Sequence, residues 1–146
     1  MKKWFNTKIK YQKQNDQGLL KLATESYLVD AVSFTEAEAR ITEIMAPEIQ
    51  GEMIVSGVTK TNYSEIIFVP EIIDENWYKV KVSYVSLDSD SGKEKKVSEY
   101  LLVAALNPEC VVVDLQEHFK SMLVPYEIES IVKTSIIDVY PFNTEE

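Results

Sequence analysis

The sequence has very few residues of the types that form covalent cross-links and metal centres. Its 146 residues include one cysteine, Cys110, and one histidine, His118. One cysteine excludes a disulfide within the chain and a cysteine-based metal cluster, and one histidine excludes a two-histidine metal site. The two residues lie about two turns apart on one expected helix, too far for a thiolate and an imidazole to share a proton. We therefore expect a buried structural thiol and an imidazole at a packing or boundary position.

Glycine and long apolar runs are also scarce. Four glycines leave little material for a phosphate-binding loop, and the patterns G-x-x-x-x-G-K, G-x-G-x-x-G and G-x-S-x-G do not occur. No segment approaches the roughly 18 consecutive apolar residues of a membrane helix. The start, MKKWFNTKIKYQKQ, lacks the apolar stretch of an export signal. These observations favour a cytoplasmic protein with no cofactor, no metal, no membrane partner and no catalytic activity.

The sequence does have enough apolar material for a globular core. Hydrophobic residues make up 45% and aromatic residues 10% of a chain whose length is typical of one domain. The 24 acidic residues exceed the 15 basic ones, and the net charge of −9 disfavours indiscriminate attraction to DNA or to anionic membranes. A local basic surface is compatible with this charge balance.

The two halves of the chain repeat similar segments in the same order. WFNTKIKY matches WYKVKVSY, TESYLVDA matches SEYLLVAA, and VTKTNYSEI matches IVKTSIIDV. We infer a tandem duplication, with a first repeat over residues 1–67, a linker, FVPEIIDEN, over residues 68–76, and a second repeat over residues 77–146. Because one unit of about 70 residues has a thin core, we expect the repeats to pack together as a pseudo-dimer.

Each repeat predicts a ββαβ unit: a strand, a polar turn, a second strand, a helix and a long third strand. The turns QNDQG and DSDSG both end in glycine, which suits a positive φ at the end of a hairpin loop. Ser33 with Glu36, and Asn107 before Pro108, are typical helix starts. A helix that follows a hairpin and leads into another strand must cover one face of the sheet. The expected class is therefore α+β, with a two-layer arrangement of helix on antiparallel sheet in each half.

The turn DSDSG, residues 88–92, resembles the start of a calcium-binding loop. Such a loop has glycine at its sixth position, but Gly92 is fifth here and Lys93 is sixth. Lysine would bring positive charge towards the ion. We therefore interpret the segment as a polar hairpin turn.

Two carboxylates, Glu25 and Glu99, stand at strand positions whose neighbours in the alternation are apolar. A buried pair of carboxyl groups can act as acid and base. We expect instead that a bulge or the sheet edge turns both side chains to solvent.

The basic residues are concentrated in the two predicted hairpins. In the first strand of each repeat, alternation places a tryptophan on the same face as lysines. Nucleic acid bases stack on such aromatic side chains while lysines neutralise phosphates. The candidate ligand-binding residues are Trp4, Lys8, Lys10, Trp77, Lys79 and Lys81. The alternative is that the lysines are the solvated side of an exposed sheet and the tryptophans pack between the halves.

Segments along nearly the whole chain resemble one known family: WFNTKIKY, YLVDAVSFTEAEARI, GKEKKVSEYLLVAA and SIIDVYPF. The family consists of small proteins known only as a domain of unknown function, encoded by Bacteroidota and by their phages and mobile elements. The resemblance implies a cytoplasmic accessory role. It implies no activity and no catalytic residues.

Two functional hypotheses follow from these observations. The first is a non-catalytic binding protein whose lysine and tryptophan face engages an anionic ligand, either single-stranded nucleic acid or a nucleotide. The second is a protein-interaction adaptor or scaffold, or a homo-oligomer, in which the tryptophans are interface anchors and open strand edges pair with a partner. Phosphate binding weakens steeply with added salt, whereas an apolar interface does not.

Overall fold

A computed structural model describes residues 3–67 and 76–141. These residues form a mixed α+β structure with more strand than helix, which confirms the expected class. The elements, in chain order, are β1 (Lys3–Gln14), β2 (Leu20–Ala31), α1 (Phe34–Met45), β3 (Met53–Lys60), β4 (Tyr63–Ile67), β5 (Asn76–Leu87), β6 (Glu94–Ala105), α2 (Pro108–His118), β7 (Tyr126–Lys133) and β8 (Ile136–Tyr140).

Two long antiparallel hairpins, β1–β2 and β5–β6, pair without any shift of register. Their turns contain Gly18 with a φ of 81° and Gly92 with a φ of 71°, the positive values predicted from the sequence. In the second turn the Asp88 carboxylate accepts hydrogen bonds from the Asp90 backbone N–H at 3.0 Å and the Ser91 hydroxyl at 3.1 Å. The Asp90 bond first, and then the Ser91 bond, hold the pKa of Asp88 below its usual value. The interpretation of DSDSG as a polar hairpin turn is confirmed.

Both helices begin at the predicted caps. The Ser33 hydroxyl accepts a hydrogen bond from the Glu36 backbone N–H at 3.1 Å, and the Asn107 side chain accepts one from the Cys110 N–H at 2.9 Å. Pro108 is the first residue of α2. Each cap satisfies a backbone N–H that has no partner within its helix.

Each helix contributes to a separate core. The first core consists of Phe5, Ile9, Tyr27, Val29, Ala31, Ala37, Ile41 and Met45, and the second of Tyr78, Val80, Val82, Leu101, Val103, Ala105, Val111 and Leu115. Ala37, Ile41 and Met45 of α1 are buried at helical spacing. Phe34, the first residue of the helix, is instead 48% exposed, and its ring lies edge-on to Phe5 with centroids 5.1 Å apart.

The prediction of one long third strand in each half is wrong. The segment VTKTNYSEI is divided between β3 and β4, because the Thr61 backbone N–H and hydroxyl both donate to the Trp4 carbonyl, at 3.1 and 2.9 Å. Thr134 makes the same two bonds to the Trp77 carbonyl between β7 and β8, both at 2.8 Å. Each half is therefore ββαββ, and not ββαβ.

The expected antiparallel sheets are in fact mixed. The first sheet has the strand order β3-β1-β2-β8, and the second sheet has the strand order β4-β6-β5-β7. β8 pairs with β2, and β4 pairs with β6, in parallel. Each sheet thus takes its parallel edge strand from the other half of the chain.

This exchange of strands determines the compact units. Of the described residues, unit 1 contains 3–62 and 135–141, and unit 2 contains 63–67 and 76–134. The predicted boundary between the repeats was a linker over residues 68–76. Residues 68–75 lie outside the described residues, and Asn76 is the first residue of β5.

Candidate functional site

The first strand of unit 1 alternates between buried and accessible positions. Phe5 and Ile9 are buried in the first core, so Trp4, Lys8 and Lys10 project from the opposite side of the sheet. Trp4 is half-buried, and both lysines are exposed. We call these three residues the first Lys/Trp face; the prediction had placed them on one side of a strand, and the structure does so.

Apolar side chains lie beside these lysines on the same side of the first sheet. Ile54 is opposite Lys10 in the β1–β3 pairing, and the β1–β2 pairing places Leu20 and Leu22 on that side nearer the hairpin turn. Ile54 and Leu22 are each 63% exposed, and Leu20 is 67% exposed. The predicted site did not include these three residues. Leu20 and Leu22, on either side of Lys21, formed a detectable alternation, whereas Ile54 lies between the apolar Met53 and Val55 and gave no such signal.

The corresponding residues of unit 2, Trp77, Lys79 and Lys81, form the second Lys/Trp face. They share one side of β5, but Trp77 is only 8% exposed and both lysines are half-buried. The Lys79 ammonium lies over the Tyr100 ring, 4.7 Å from its centroid, and 5.9 Å from that of Tyr63. These cation–π contacts hold Lys79 against its own sheet. The second face is therefore less open than the first.

Glu25 does not turn to solvent, and that prediction is wrong. The β1–β2 pairing has no bulge, and the Glu25 side chain is 10% exposed. Its Oε1 accepts hydrogen bonds from the hydroxyls of Tyr11 at 3.0 Å and Tyr27 at 2.9 Å, and its Oε2 lies 3.3 Å from the Lys13 ammonium. A buried carboxylate is tolerated because these donors replace the water it loses.

Glu99 has a simpler environment in unit 2. It is half-buried and accepts a long hydrogen bond of 3.4 Å from the Tyr84 hydroxyl. The charge of Glu99 is the largest cause that raises the pKa of Tyr84. Each carboxylate is therefore bound to tyrosine within its own unit, an arrangement that the sequence analysis missed.

The hydroxyl of Tyr27 makes the free energy of unfolding decrease at alkaline pH. Tyr27 is 5% exposed, and its pKa is raised first by burial and then by the hydrogen bond to Glu25 and the charge of that residue. A tyrosine ionises near pH 10 in the unfolded chain. Above that pH the unfolded state has lost a proton that the folded state retains. The contribution to stability is thus complete below pH 10 and is lost as the pH rises through the folded pKa.

We expect the free energy of unfolding to fall less steeply above this pH in Tyr27→Phe than in the wild type. The proton on Tyr27 contributes a slope of up to about 1.4 kcal/mol per pH unit, which phenylalanine cannot contribute. Urea unfolding at a series of pH values measures both slopes. Equal slopes in the two proteins would contradict the assignment.

The remaining reactive side chains lie in unit 2. His118 is at the end of α2, where its Nε2 is 2.9 Å from a Glu65 carboxylate oxygen and its ring contacts Phe119. This is a boundary position, as expected. Cys110 packs against the second core but is half-buried, whereas a buried structural thiol was expected.

The described residues contain neither a clustered metal site nor a membrane-spanning helix. Within residues 3–67 and 76–141, no three His, Cys, Asp or Glu side chains are grouped so as to hold one metal ion. None of the helices in these parts of the chain is long and apolar enough to span a bilayer.

Comparison with known proteins gives a family and no activity. No curated protein matches the sequence. The family described as Domain of unknown function (DUF4494) matches residues 3–142, which is nearly the whole chain. The resemblance that the sequence analysis found to a family of unknown function is confirmed, and the chain belongs to the family Domain of unknown function (DUF4494).

Proposed function

We propose that this chain is a non-catalytic accessory protein of the cytoplasm that binds an anionic ligand on its Lys/Trp faces. The ligand is a single-stranded nucleic acid or a nucleotide. One observation carries the proposal: Lys8 and Lys10 are exposed on the same side of β1 as Trp4. Neither lysine side chain forms an ion pair with any residue that the structure describes.

The chemistry of this face suits a base attached to a phosphate. Stacking of one base on an aromatic side chain stabilises a complex by about 1–3 kcal/mol. Lysines that neutralise phosphates add a contribution that decreases as the salt concentration rises. Lys8 and Lys10 keep their ammonium groups in water in the free protein, so a phosphate does not have to displace a carboxylate from them.

The two Lys/Trp faces differ in their contribution to binding. Trp77 is nearly buried and Lys79 lies over Tyr100, so the first face supplies the stacking surface. Lys79 and Lys81 give the second face its positive charge.

We attribute the two related faces to tandem duplication of one helix-on-sheet unit. The two halves of the chain have the same order of elements, and corresponding strands have equal lengths. The two parallel pairings support this origin, because their register shifts occur at the same place. The β2–β8 pairing shifts after its first pair, Ser26 with Ile136, and the β4–β6 pairing shifts after its first pair, Tyr63 with Tyr100.

Tryptophan fluorescence tests the proposal directly. The chain has two tryptophans, so Trp77→Phe leaves Trp4 as the sole reporter. We expect saturable quenching on titration with single-stranded oligonucleotides or a mixture of nucleotides, with weaker binding at high salt. Replacing Lys8 and Lys10 together by glutamine should lower the slope of log K against log salt for an oligonucleotide by about 0.7 for each lysine.

Lys21→Gln is the matched control. Lys21 is exposed on the same sheet but belongs to the side that carries Ile9 and Tyr11. This substitution removes one positive charge, as each of the two replacements at Lys8 and Lys10 does, and should leave the oligonucleotide slope nearly unchanged. Fluorescence that no oligonucleotide and no nucleotide alters, at low salt, would overturn the proposal.

A second candidate function, a protein-interaction adaptor or homo-oligomer, is favoured by the exposed apolar residues beside the first face. Ile54, Leu20 and Leu22 are each at least 63% exposed on one side of the first sheet. Exposed apolar side chains of this kind are typical of protein interfaces. Light scattering at low and high salt separates the two functions, because association through these residues should persist in high salt.

A further inference from the structure

A cavity of about 460 Å³ lies on the other side of the first sheet from Lys8 and Lys10. It is lined by residues of β1, β2 and β8 and by the end of α1 with the residues that follow it. All of its lining residues belong to unit 1. The residues used in the argument below are Tyr11, Glu25, Tyr27, Glu48, Asp138 and Tyr140.

The polar groups of this cavity are mostly hydrogen-bond acceptors. The hydroxyls of Tyr11 and Tyr27 already donate to Glu25. The carboxylates of Glu48 and Asp138 form no ion pair with any described residue. A molecule bound in this cavity would therefore have to donate hydrogen bonds to the carboxylates and be compatible with their negative charge.

The ionisable side chains that line the cavity carry a net negative charge. Three carboxylates, Glu25, Glu48 and Asp138, line it with one ammonium group, that of Lys13. Burial, and then the charges of Asp138, Glu48 and Glu25, raise the pKa of Tyr140. The charges of all three carboxylates are therefore felt at the Tyr140 hydroxyl.

Aromatic rings form part of the wall. The rings of Tyr27 and Tyr140 have centroids 5.8 Å apart and planes inclined by 32°. The face of a tyrosine ring attracts an ammonium or guanidinium group. Ile44, Met45 and Ile49 add apolar surface, which suits a cation carried on an aliphatic chain.

Lys13 shows that the cavity accepts an ammonium group. Its Nζ lies 3.3 Å from Glu25, while its side chain remains 58% exposed. Because the Lys13 side chain is mostly in water, its pairing with Glu25 contributes little, and an incoming cation can replace it. Lys13 is thus an internal competitor at the mouth of the cavity.

Among its described residues unit 2 repeats only the pair formed by Tyr84 and Glu99, which corresponds to Tyr11 and Glu25, and not the rest of this arrangement. Leu101 occupies in β6 the position that Tyr27 occupies in β2, opposite the buried Val80. At the end of α2 the rings of Phe119 and Tyr126 are in contact, with centroids 4.8 Å apart, and pack against the second core. The tyrosine and carboxylate cluster is therefore a property of unit 1, and not a requirement of the fold.

From this geometry we infer that the cavity of unit 1 binds a small organic cation, a primary ammonium or guanidinium group on an aliphatic chain. The carboxylates of Glu48 and Asp138 neutralise its charge, and the rings of Tyr27 and Tyr140 contact it. This inference does not depend on ligand binding at the first Lys/Trp face, which lies on the other side of the first sheet, or at the second, which belongs to the second sheet.

Isothermal titration calorimetry on the full chain, in a buffer free of amines, tests the inference. The probes are pentylamine, cadaverine and agmatine, with pentanol as the neutral analogue and N-acetyl-lysine methylamide to represent a peptide side chain. We expect the cations to bind and pentanol to bind at least about tenfold more weakly. Tighter binding of the free amines identifies a small-molecule ligand, and tighter binding of the lysine derivative identifies the same group on a peptide.

Two variants should change the affinity in opposite directions. The double variant Glu48→Gln/Asp138→Asn should bind cadaverine about tenfold more weakly, because it removes two carboxylates. Lys13→Gln should bind it several-fold more tightly, because the internal competitor is gone. Glu43→Gln, on the exposed side of α1, is the control with the same type of charge change and should behave as the wild type.

A variant that folds poorly binds more weakly. The tighter binding expected for Lys13→Gln therefore cannot arise from a loss of folding. Cation affinities that equal that of pentanol would overturn the inference. Equal affinities of the wild type, the double variant and Lys13→Gln would overturn it as well.

Discussion

Residues 1–67 expressed alone are expected not to form a stable monomer. The first sheet takes its edge strand β8 from the far end of the chain, so this fragment has no partner for the outer edge of β2. Leu28 and Val29, both fully buried, lie opposite Val139 and Tyr140 of β8. The strand β4 of the fragment would also lack its partner β6. An unpaired apolar strand edge is a site of association.

We expect two copies of this fragment to satisfy each other by strand exchange. β4 and β8 have the same length, and both pair in parallel with the second strand of a hairpin. β4 of one copy can therefore occupy the place of β8 beside β2 of the other. Size-exclusion chromatography with light scattering should show a dimer, and circular dichroism should show cooperative unfolding that depends on concentration.

Two controls make this result specific. A fragment of residues 1–62, which lacks β4, should not dimerise in this way. Mixing residues 1–67 with residues 76–146 should give a one-to-one complex with the far-ultraviolet spectrum of the whole chain. If residues 1–67 fold as a monomer that unfolds cooperatively, the exchange of strands is not needed for the stability of unit 1.

The local parts of the fold could be predicted because their causes lie within a few residues. Asn107 before Pro108 defines a helix start with one side-chain hydrogen bond and one missing N–H. Gly18 and Gly92 define hairpin turns through a φ that other residues rarely adopt. Such features depend little on the rest of the chain.

The exchange of strands could not be predicted in this way. In VTKTNYSEI the polar residues Lys60, Thr61 and Asn62 stand between apolar ones, which suits an exposed strand as well as a break, so the pattern does not define where the strand ends. Its end depends on the hydrogen bonds from Thr61 to Trp4, and the partner of β4 is Tyr100 and the residues after it. Both are contacts between residues far apart in sequence, which local propensity does not encode.

The candidate sites show the same division. Alternation correctly placed Trp4 with Lys8 and Lys10, because the side-chain period of a strand is fixed. It did not predict that Trp77 would be nearly buried while Trp4 is accessible. The prediction for Glu25 was wrong because it considered an isolated carboxylate; the neighbouring strand positions bring tyrosine hydroxyls that replace solvent.

Phe5→Ala is expected to lower the free energy of unfolding by about 3–5 kcal/mol. Phe5 is 1% exposed on β1, which pairs with β2 on one side and β3 on the other. Truncation removes its buried apolar surface and leaves a cavity that a strand paired on both sides cannot move to fill. Since small domains are stable by about 5–15 kcal/mol in total, a loss of this size is a large fraction of the free energy of unfolding.

Phe34→Ala is the matched control for this prediction. Phe34 is 48% exposed, and its ring contacts Phe5 edge-on. The same truncation there removes one aromatic contact and part of a partly solvated ring, so the loss should be less than half that of Phe5→Ala. Urea unfolding followed by circular dichroism measures both values. Losses of equal size would mean that burial of Phe5 is not the source of its effect, and that the contact between the two rings is.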